Sequence, residues 1–171
     1  MRRRALLLAL PPLALSACGF RLQGSRPLPA PLQRVFLESE QPYSAEEPAV
    51  ETALRARLRR RGADVTGAAA SADSVLTLSN IQQRSEVLSV STRGRAIEFE
   101  IQVEVTFSLA DSKGVLVPAQ TLSARRALSF PTEQILPKEA EEARLAEFLQ
   151  DELAERILLQ LESRLLRSAG D

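Results

Sequence analysis

The sequence predicts an α+β domain: a four-stranded, mixed sheet with two helices packed on one face, in the order β-α-β-β-β-α. Three observations carry this. From Ala96 to Leu109 the chain alternates without a break, with Ile97, Phe99, Ile101, Val103, Val105, Phe107 and Leu109 set against Glu98, Glu100, Gln102, Glu104, Thr106 and Ser108. Period two over that length means a long antiparallel strand with one wet face. From Lys138 to about Leu166, the residues Leu145, Leu149, Leu153, Ile157, Leu161 and Leu165 form an unbroken i+4 row, the mark of a long helix. Thr92-Arg93-Gly94-Arg95 and Asp111-Ser112-Lys113-Gly114 are turn signals that join neighbouring strands into hairpins.

The elements follow in order. Gln33 to Ser39, around Val35-Phe36-Leu37, reads as a short strand. A helix follows. Ser44 with Glu47 fits a capping box, while Pro48 prefers the first helical turn, so the two signals differ on where it starts. Val50, Leu54 and Leu58 mark its buried face and Gly62 its stop. Arg55, Arg57, Arg59, Arg60 and Arg61 make its second half basic, either as a solvated face that suits the helix dipole or as an anion-facing patch. Ser74 to Ser91 reads as a strand whose alternation slips, because Ile81, Leu88 and Val90 do not share a parity with Leu76 and Leu78. A bulge between Asn80 and Arg84 would restore the register. Thr121 to Phe130 reads as the last strand, with Leu122, Ala124, Leu128 and Phe130 inward and Arg126 breaking that face. A buried charge is costly, so Arg126 is expected to meet an acid or to lie near the strand end. Residues 131–137 are a loop. An i+4 row advances about 40° per step, so a flat sheet alone would not cover the long helix; a twisted sheet, the first helix and a partner wall could, with Phe148, Leu158, Leu159 and Leu166 widening its apolar surface as core packing or, alternatively, as a partner-facing end.

Composition narrows the chemistry. The 171 residues carry 22 basic and 22 acidic side chains, no histidine, no tryptophan and one cysteine. Without histidine there is no Ser-His-Asp or Cys-His catalysis and no histidine zinc site. One cysteine excludes an internal disulfide. Balanced charge, one tyrosine and six phenylalanines do not suit nucleic-acid binding. Carboxylates such as Glu98, Glu100, Glu104, Glu139, Glu141 and Glu142 sit on a wet strand face or in a first helical turn, and nothing singles out a catalytic pair. The expectation is a protein that is not an enzyme and uses no cofactor or metal.

The N-terminus is a processing signal. Arg2, Arg3 and Arg4 precede the apolar run Ala5 to Leu15, which is too short to span a bilayer. Leu15-Ser16-Ala17-Cys18 then reads as a lipobox. Small side chains before the cysteine fit the signal peptidase, the Cys18 thiol takes a diacylglyceryl group, and cleavage after Ala17 frees its amine for a third chain. Several acyl chains hold a protein at a membrane far longer than one can. Gly19 rather than Asp follows Cys18, which points to the outer membrane. The domain reading is therefore 1–17 lipoprotein signal peptide, 18–32 lipidated cysteine and Pro-rich spacer, and 33–171 a single α+β domain. Pro27, Pro29 and Pro31 favour an extended spacer, with a merely disordered tail as the alternative.

The cations whose placement is more suggestive are Arg84, Arg93, Arg95, Arg125, Arg126 and Lys138, the last at a helix start where free N–H groups also favour anions. They could converge on a phosphorylated ligand or be ordinary surface charge.

Several stretches, in this order, resemble the LPS-assembly lipoprotein family LptE: residues 18–24 (CGFRLQG), the Val35-Phe36-Leu37 strand, residues 91–99 (STRGRAIEF), residues 126–130 (RALSF), residues 134–142 (QILPKEAEE), Gln150-Asp151-Glu152-Leu153 and Arg164-Leu165. The likeness spans essentially the whole mature chain. It implies an outer-membrane lipoprotein that plugs the LptD β-barrel, binds lipopolysaccharide through basic residues, takes part in its transport and insertion into the outer leaflet, and assists barrel assembly. The basic position of the family near the hairpin tip falls on Thr92, beside Arg93 and Arg95. The second falls on Lys138 when one gap is allowed. The implied partners are LptD, lipopolysaccharide and outer-membrane lipid reached through acylated Cys18, with the folded body on the periplasmic side within a barrel lumen. The alternative is a free outer-membrane lipid-binding lipoprotein without a barrel.

Overall fold

The computed structural model describes residues 27–40, 47–129 and 138–168, with the backbone alone at Lys138. The expectations placed on Cys18, Ser44, Phe130 and residues 131–137 fall outside the described residues. Eight elements and one 3-10 turn are present: α1 (Ala30–Gln33), β1 (Arg34–Glu40), α2 (Ala49–Arg60), β2 (Asp64–Thr66), the turn Ala69–Ser71, β3 (Ser74–Val90), β4 (Ala96–Asp111), β5 (Gly114–Ser129) and α3 (Lys138–Ser168). One five-stranded sheet runs in the order β2-β1-β3-β4-β5. The β2–β1 and β1–β3 pairs are parallel; β3–β4 and β4–β5 are antiparallel.

The α+β class and the mixed sheet are as the sequence predicts, but the count of four strands and two helices is corrected to five strands and three helices. The added strand, Asp64-Val65-Thr66, is too short to display a period, and only its parallel pairing with Arg34-Val35-Phe36 makes it one. The added helix is a single turn containing Pro31, which is tolerated at a helix start. Leu28 and Leu32, one turn apart within the stretch read as spacer, are both buried in the core. Gln33 Nε2 donates to the Leu28 carbonyl (2.9 Å) and Ser74 Oγ to the Pro31 carbonyl. The folded body therefore already includes Leu28.

Helix α2 begins at Ala49, with Pro48 at the N-cap and no local side-chain cap. The missing acceptor comes from the other end of the chain: Val50 N donates to Gln150 Oε1 of α3 at 3.0 Å. The helix ends as expected at Gly62, whose φ of +88° takes the left-handed cap conformation.

The slip in β3 is a bulge. Pairing with β4 shifts between Ser79 and Gln82, leaving Asn80 and Ile81 opposite Val105, and Asn80 adopts φ +48°. Asparagine tolerates that region better than most residues. The bulge exchanges the parity of β3, so Leu76 and Leu78 face the helices before it, and Gln83, Ser85 and Val87 after it. A second irregularity at Leu88 explains the remaining misfit.

Strand β5 starts at Gly114 rather than Thr121. Pro118 argues against a strand, yet β5 is an edge strand, where a missing N–H donor is allowed. Val117 and Ala124 face the core, while Leu128 is half-buried. Arg126 is exposed: it pairs with Glu152 (3.4 Å) and stacks over Phe148, its guanidinium carbon 5.5 Å from the ring centre.

Helices α2 and α3 lie side by side on one sheet face. Ile101, Val103, Val105, Phe107 and Leu109 of β4 share one buried core with Leu54 and Leu58 of α2 and Leu149, Leu153, Ile157 and Leu161 of α3. Each such side chain contributes on the order of 2 kcal/mol when fully buried. The winding leucine row of α3 stays covered because the helix contacts β4 and β5 on one flank and α2 on the other. Leu158 joins the core, whereas Phe148, Leu159 and Leu166 are exposed.

Candidate functional site

Among the described residues the outer half of β3, toward the tip of the β3–β4 hairpin, is more open than its inner half, although Ser85 still meets Glu142 of α3. Residues Gln82 to Leu88 are exposed, where Leu76 and Leu78 of the same strand are buried. At the tip, Ser91 N donates to the Arg95 carbonyl (2.7 Å), Gly94 N to the Ser91 carbonyl (2.9 Å), and Arg95 N to Ser91 Oγ (3.1 Å). Gly94 has φ +72°, a conformation glycine adopts without steric cost. This turn leaves Thr92, Arg93 and Arg95 exposed. Just behind it, Val87, Leu88 and Val90 are about half exposed, at 51%, 48% and 59%. Cations at a tip backed by uncovered aliphatic side chains suit an amphiphile with a phosphorylated head.

The six cations named from sequence separate into four places. Arg93 and Arg95 stand at the tip. Arg84 and Arg125 lie on the helix-free sheet face, both in register with Gln102. Arg126 lies on the opposite face, paired with Glu152. Lys138 is the first residue of α3. Along α3, Glu142 Oε1 accepts from Ser85 Oγ at 3.3 Å. Ser85 precedes the turn at Ser91 by roughly 20 Å of extended strand, and Lys138 lies about 6 Å beyond Glu142 along the helix. The start of α3 therefore lies short of the tip by on the order of 15 Å.

Of the five arginines in and just after α2, Arg55, Arg57 and Arg61 are paired with acids, while Arg59 and Arg60 are exposed. Arg57 makes a two-pronged contact with Asp151, Nη1 to Oδ1 and Nη2 to Oδ2, each 2.8 Å, and its Nε reaches Glu155 at 2.9 Å. Arg61 pairs with Glu162 at 2.9 Å, and Arg55 with Glu47 and Glu51. Hydrogen bonding to Asp151 raises the Arg57 pKa, and the same contact lowers that of Asp151. Glu51 is 8% exposed; burial, and then repulsion from Glu47, raise its pKa against the pull of Arg55. Spacing within α2 could not reveal this seam, because the acids that meet Arg57 and Arg61 lie some hundred residues away.

A surface groove of about 960 Å³ opens between α2 and the first half of α3, lined among others by Ala49, Ala53, Glu139, Glu147 and Phe148. Among the described residues its walls mix alanines and Phe148 with charged and amide side chains. No helix among the described residues is long and apolar enough to cross a membrane.

This architecture is one found among bacterial lipoproteins. A solution structure of an uncharacterized lipoprotein B from Nitrosomonas europaea superposes with a TM-score of 0.66 at 26% identity, covering 89% of this chain and 94% of that one. The crystal structure of the rare lipoprotein B from Shewanella oneidensis gives 0.65 at 24% identity, covering 79% and 98% respectively, and supports the fold alone. A family model described as "LptE: Lipopolysaccharide-assembly" matches residues 32–161, and the chain belongs to this LptE family. Curated relatives agree. The LPS-assembly lipoprotein LptE of Yersinia pestis (strain Pestoides F) is 30% identical over 169 residues, 97% of this chain and 77% of the relative. That of Photorhabdus laumondii is 27% identical over 163 residues, 94% of this chain and 87% of the relative.

Proposed function

We propose that this chain is an outer-membrane lipoprotein, anchored through acylated Cys18, that takes part in lipopolysaccharide assembly as the plug of the LptD β-barrel. It binds lipopolysaccharide in transit to the outer leaflet and assists assembly of the barrel. The observation that carries this reading is the LptE family match across the folded body, residues 32–161. The body's surface agrees with it. A plug in a polar barrel lumen needs an exterior able to hydrogen-bond, and the helix-free face of β4 offers Glu98, Glu100, Gln102, Glu104, Thr106 and Ser108.

Lipopolysaccharide is held by Arg93 and Arg95 at the hairpin tip, with Thr92 beside them and Lys138 at the start of α3. Guanidinium groups bind phosphates through charge-assisted hydrogen bonds, while Val87, Leu88 and Val90 meet the apolar part of the lipid. No step calls for a catalytic group, since the work is binding and positioning. The large groove, with its charged rim and alanine walls, does not suit the enclosed acyl-chain cavity that a free lipid carrier would need.

The test is pull-down with mass spectrometry from detergent-solubilised outer membranes. A large β-barrel protein of the LptD type should co-purify in near-stoichiometric amount. Recovery of the acylated chain without any barrel would count against the plug and favour the free carrier.

A further inference from the structure

The helix-free sheet face carries two adjacent rows of opposite charge. In the first row Arg84 of β3 and Arg125 of β5 both stand in register with Gln102 of β4. Neighbouring strands are about 4.8 Å apart, so the two arginines flank Gln102 with their Cα atoms about 10 Å from each other. In the next row, two residues along, Glu86 of β3 stands directly opposite Glu100 of β4. The rows lie about 7 Å apart. A cleft of about 490 Å³ opens over the corner where they meet, lined by Arg84, Ser85, Glu86, Glu100 and Gln102.

This is an unfavourable arrangement for a sheet surface left to itself. Like charges placed directly opposite across strands repel. The simplest relief, diagonal ion pairs between the rows, is absent among the described residues: neither Arg84 nor Arg125 meets a carboxylate. Instead Arg84 turns back along its own strand and donates to Gln82 Oε1 at 2.8 Å, away from Glu86. Gln82 in turn donates to Asn80 Oδ1, and Asn80 to Glu104 Oε1 at 3.3 Å. The bulge residue thus sits in a chain of hydrogen bonds that draws Glu104 and Arg84 together on one side of the cleft and leaves Glu86 and Glu100 on the other.

We propose that this cleft binds a phosphoethanolamine group, with the phosphate on Arg84 and the Gln102 amide at its wall, reached also by Arg125 from the neighbouring strand just outside the cleft, and the ammonium between Glu86 and Glu100. A guanidinium fork suits a phosphate's oxygens, and a primary ammonium has N–H donors for two carboxylates. Only two methylenes separate the two charges of such a group, which matches charge rows on neighbouring positions of one sheet. A purely anionic phosphate would meet the repulsion of Glu86 and Glu100. A choline ester offers no N–H to them and is better served by an aromatic cage, which this face lacks among the described residues. The site is on a different part of the surface from the hairpin tip; Glu100 and Gln102 also belong to the face that the barrel reading turns toward the lumen, so the site is tested on the chain free of any barrel.

The test is titration of the full chain, in a detergent without phosphate, with glycerophosphoethanolamine, glycerophosphocholine and glycerol 3-phosphate, followed by calorimetry and phosphorus NMR. Glycerophosphoethanolamine should bind tightest. The double variant Arg84→Gln with Arg125→Gln should lose about tenfold in affinity for it, as should Glu86→Gln with Glu100→Gln. The second variant should also reverse the preference, binding glycerol 3-phosphate more tightly than the unaltered chain does. Matching far-UV circular dichroism melts would show that these exposed substitutions leave the fold intact. A lysophosphatidylethanolamine arm separates the sources: losses with the lysolipid too assign the site to a membrane lipid, and losses with the soluble ester alone assign it to a free phosphoester. The proposal is overturned if glycerol 3-phosphate or the choline ester binds the unaltered chain equally well, or if the glutamate variant binds glycerophosphoethanolamine unchanged.

Discussion

Arg57 of α2 grips Asp151 of α3 with both terminal nitrogens, each 2.8 Å from its own carboxylate oxygen, across 94 residues of sequence. Its third nitrogen holds Glu155. The side chain of Arg57 is 14% exposed and that of Asp151 56%, so water screens the acid's side of the pair. Arg57→Ala should therefore cost more than Asp151→Ala: about 1–2 kcal/mol against about 0.5 kcal/mol, read by urea denaturation. Equal and negligible effects would reduce the contact to surface decoration. The pair also sets a pH dependence. The Asp151 pKa is lowered on folding, so its contribution is complete above the ordinary aspartate range and is lost as pH falls through its depressed value. Asp151→Asn should lose less stability than the unaltered chain below about pH 4.

Glu51 has the opposite sign. Burial first, then Glu47, raise its pKa despite Arg55. A raised acid favours the folded state when protonated; that contribution is present below the ordinary glutamate range and is lost as pH rises through the raised value. Glu51→Gln keeps an acceptor for Arg55 and removes the buried charge. Its thermal midpoint at pH 7 should equal or exceed that of the unaltered chain, with a flatter profile as pH rises above the ordinary glutamate range. A clearly lower midpoint at pH 7 would mean that the Arg55 pair outweighs burial.

Gln150 supplies the acceptor that the N-terminus of α2 lacks locally. Gln150→Ala should cost about 1 kcal/mol, the usual scale of a lost N-cap. Hydrogen exchange at the Val50 amide should rise more than at Leu58, deep in the same helix. Uniform acceleration along α2 would contradict a capping role.

Arg93→Glu combined with Lys138→Glu should weaken lipopolysaccharide binding while the melting curve stays in place, because the tip is exposed and tied together by its own turn hydrogen bonds. Binding that is unchanged at moderate salt would make these cations ordinary surface charge.

Cys18→Ser should release the chain to the soluble periplasmic fraction, since acylation needs the thiol. Retention of that variant in washed membranes, in cells lacking any barrel partner, would contradict the proposed anchor.

Much of the architecture could be read from residue patterns, and each miss has a physical cause. Strand β4 and helix α3 were legible because each carries its own period over many residues: buried Phe99 to Leu109, and Leu149 to Leu165. The tip turn was legible because Thr92-Arg93-Gly94-Arg95 has its glycine where φ is positive. Strand β2 and helix α1 were not, because three or four residues hold too little pattern and are defined by what they pack on. The first half of β5 was hidden by Pro118, whose meaning depends on whether a strand is central or at an edge. For the candidate site, the identities of Arg93, Arg95 and Thr92 were readable, but their separation from Lys138 was not.

By itself, the sequence determined the α+β class, the alternating strand, the long helix, the hairpin tip and the family resemblance, since local periodicity and motif order are written in neighbouring residues. Tertiary structure alone decided which charges meet: Arg57 with Asp151, Arg126 with Glu152, and Arg84 in line with Arg125. Those outcomes depend on strand register and on how two helices lie together, and distances between residues far apart in the chain exist only once the sheet has formed.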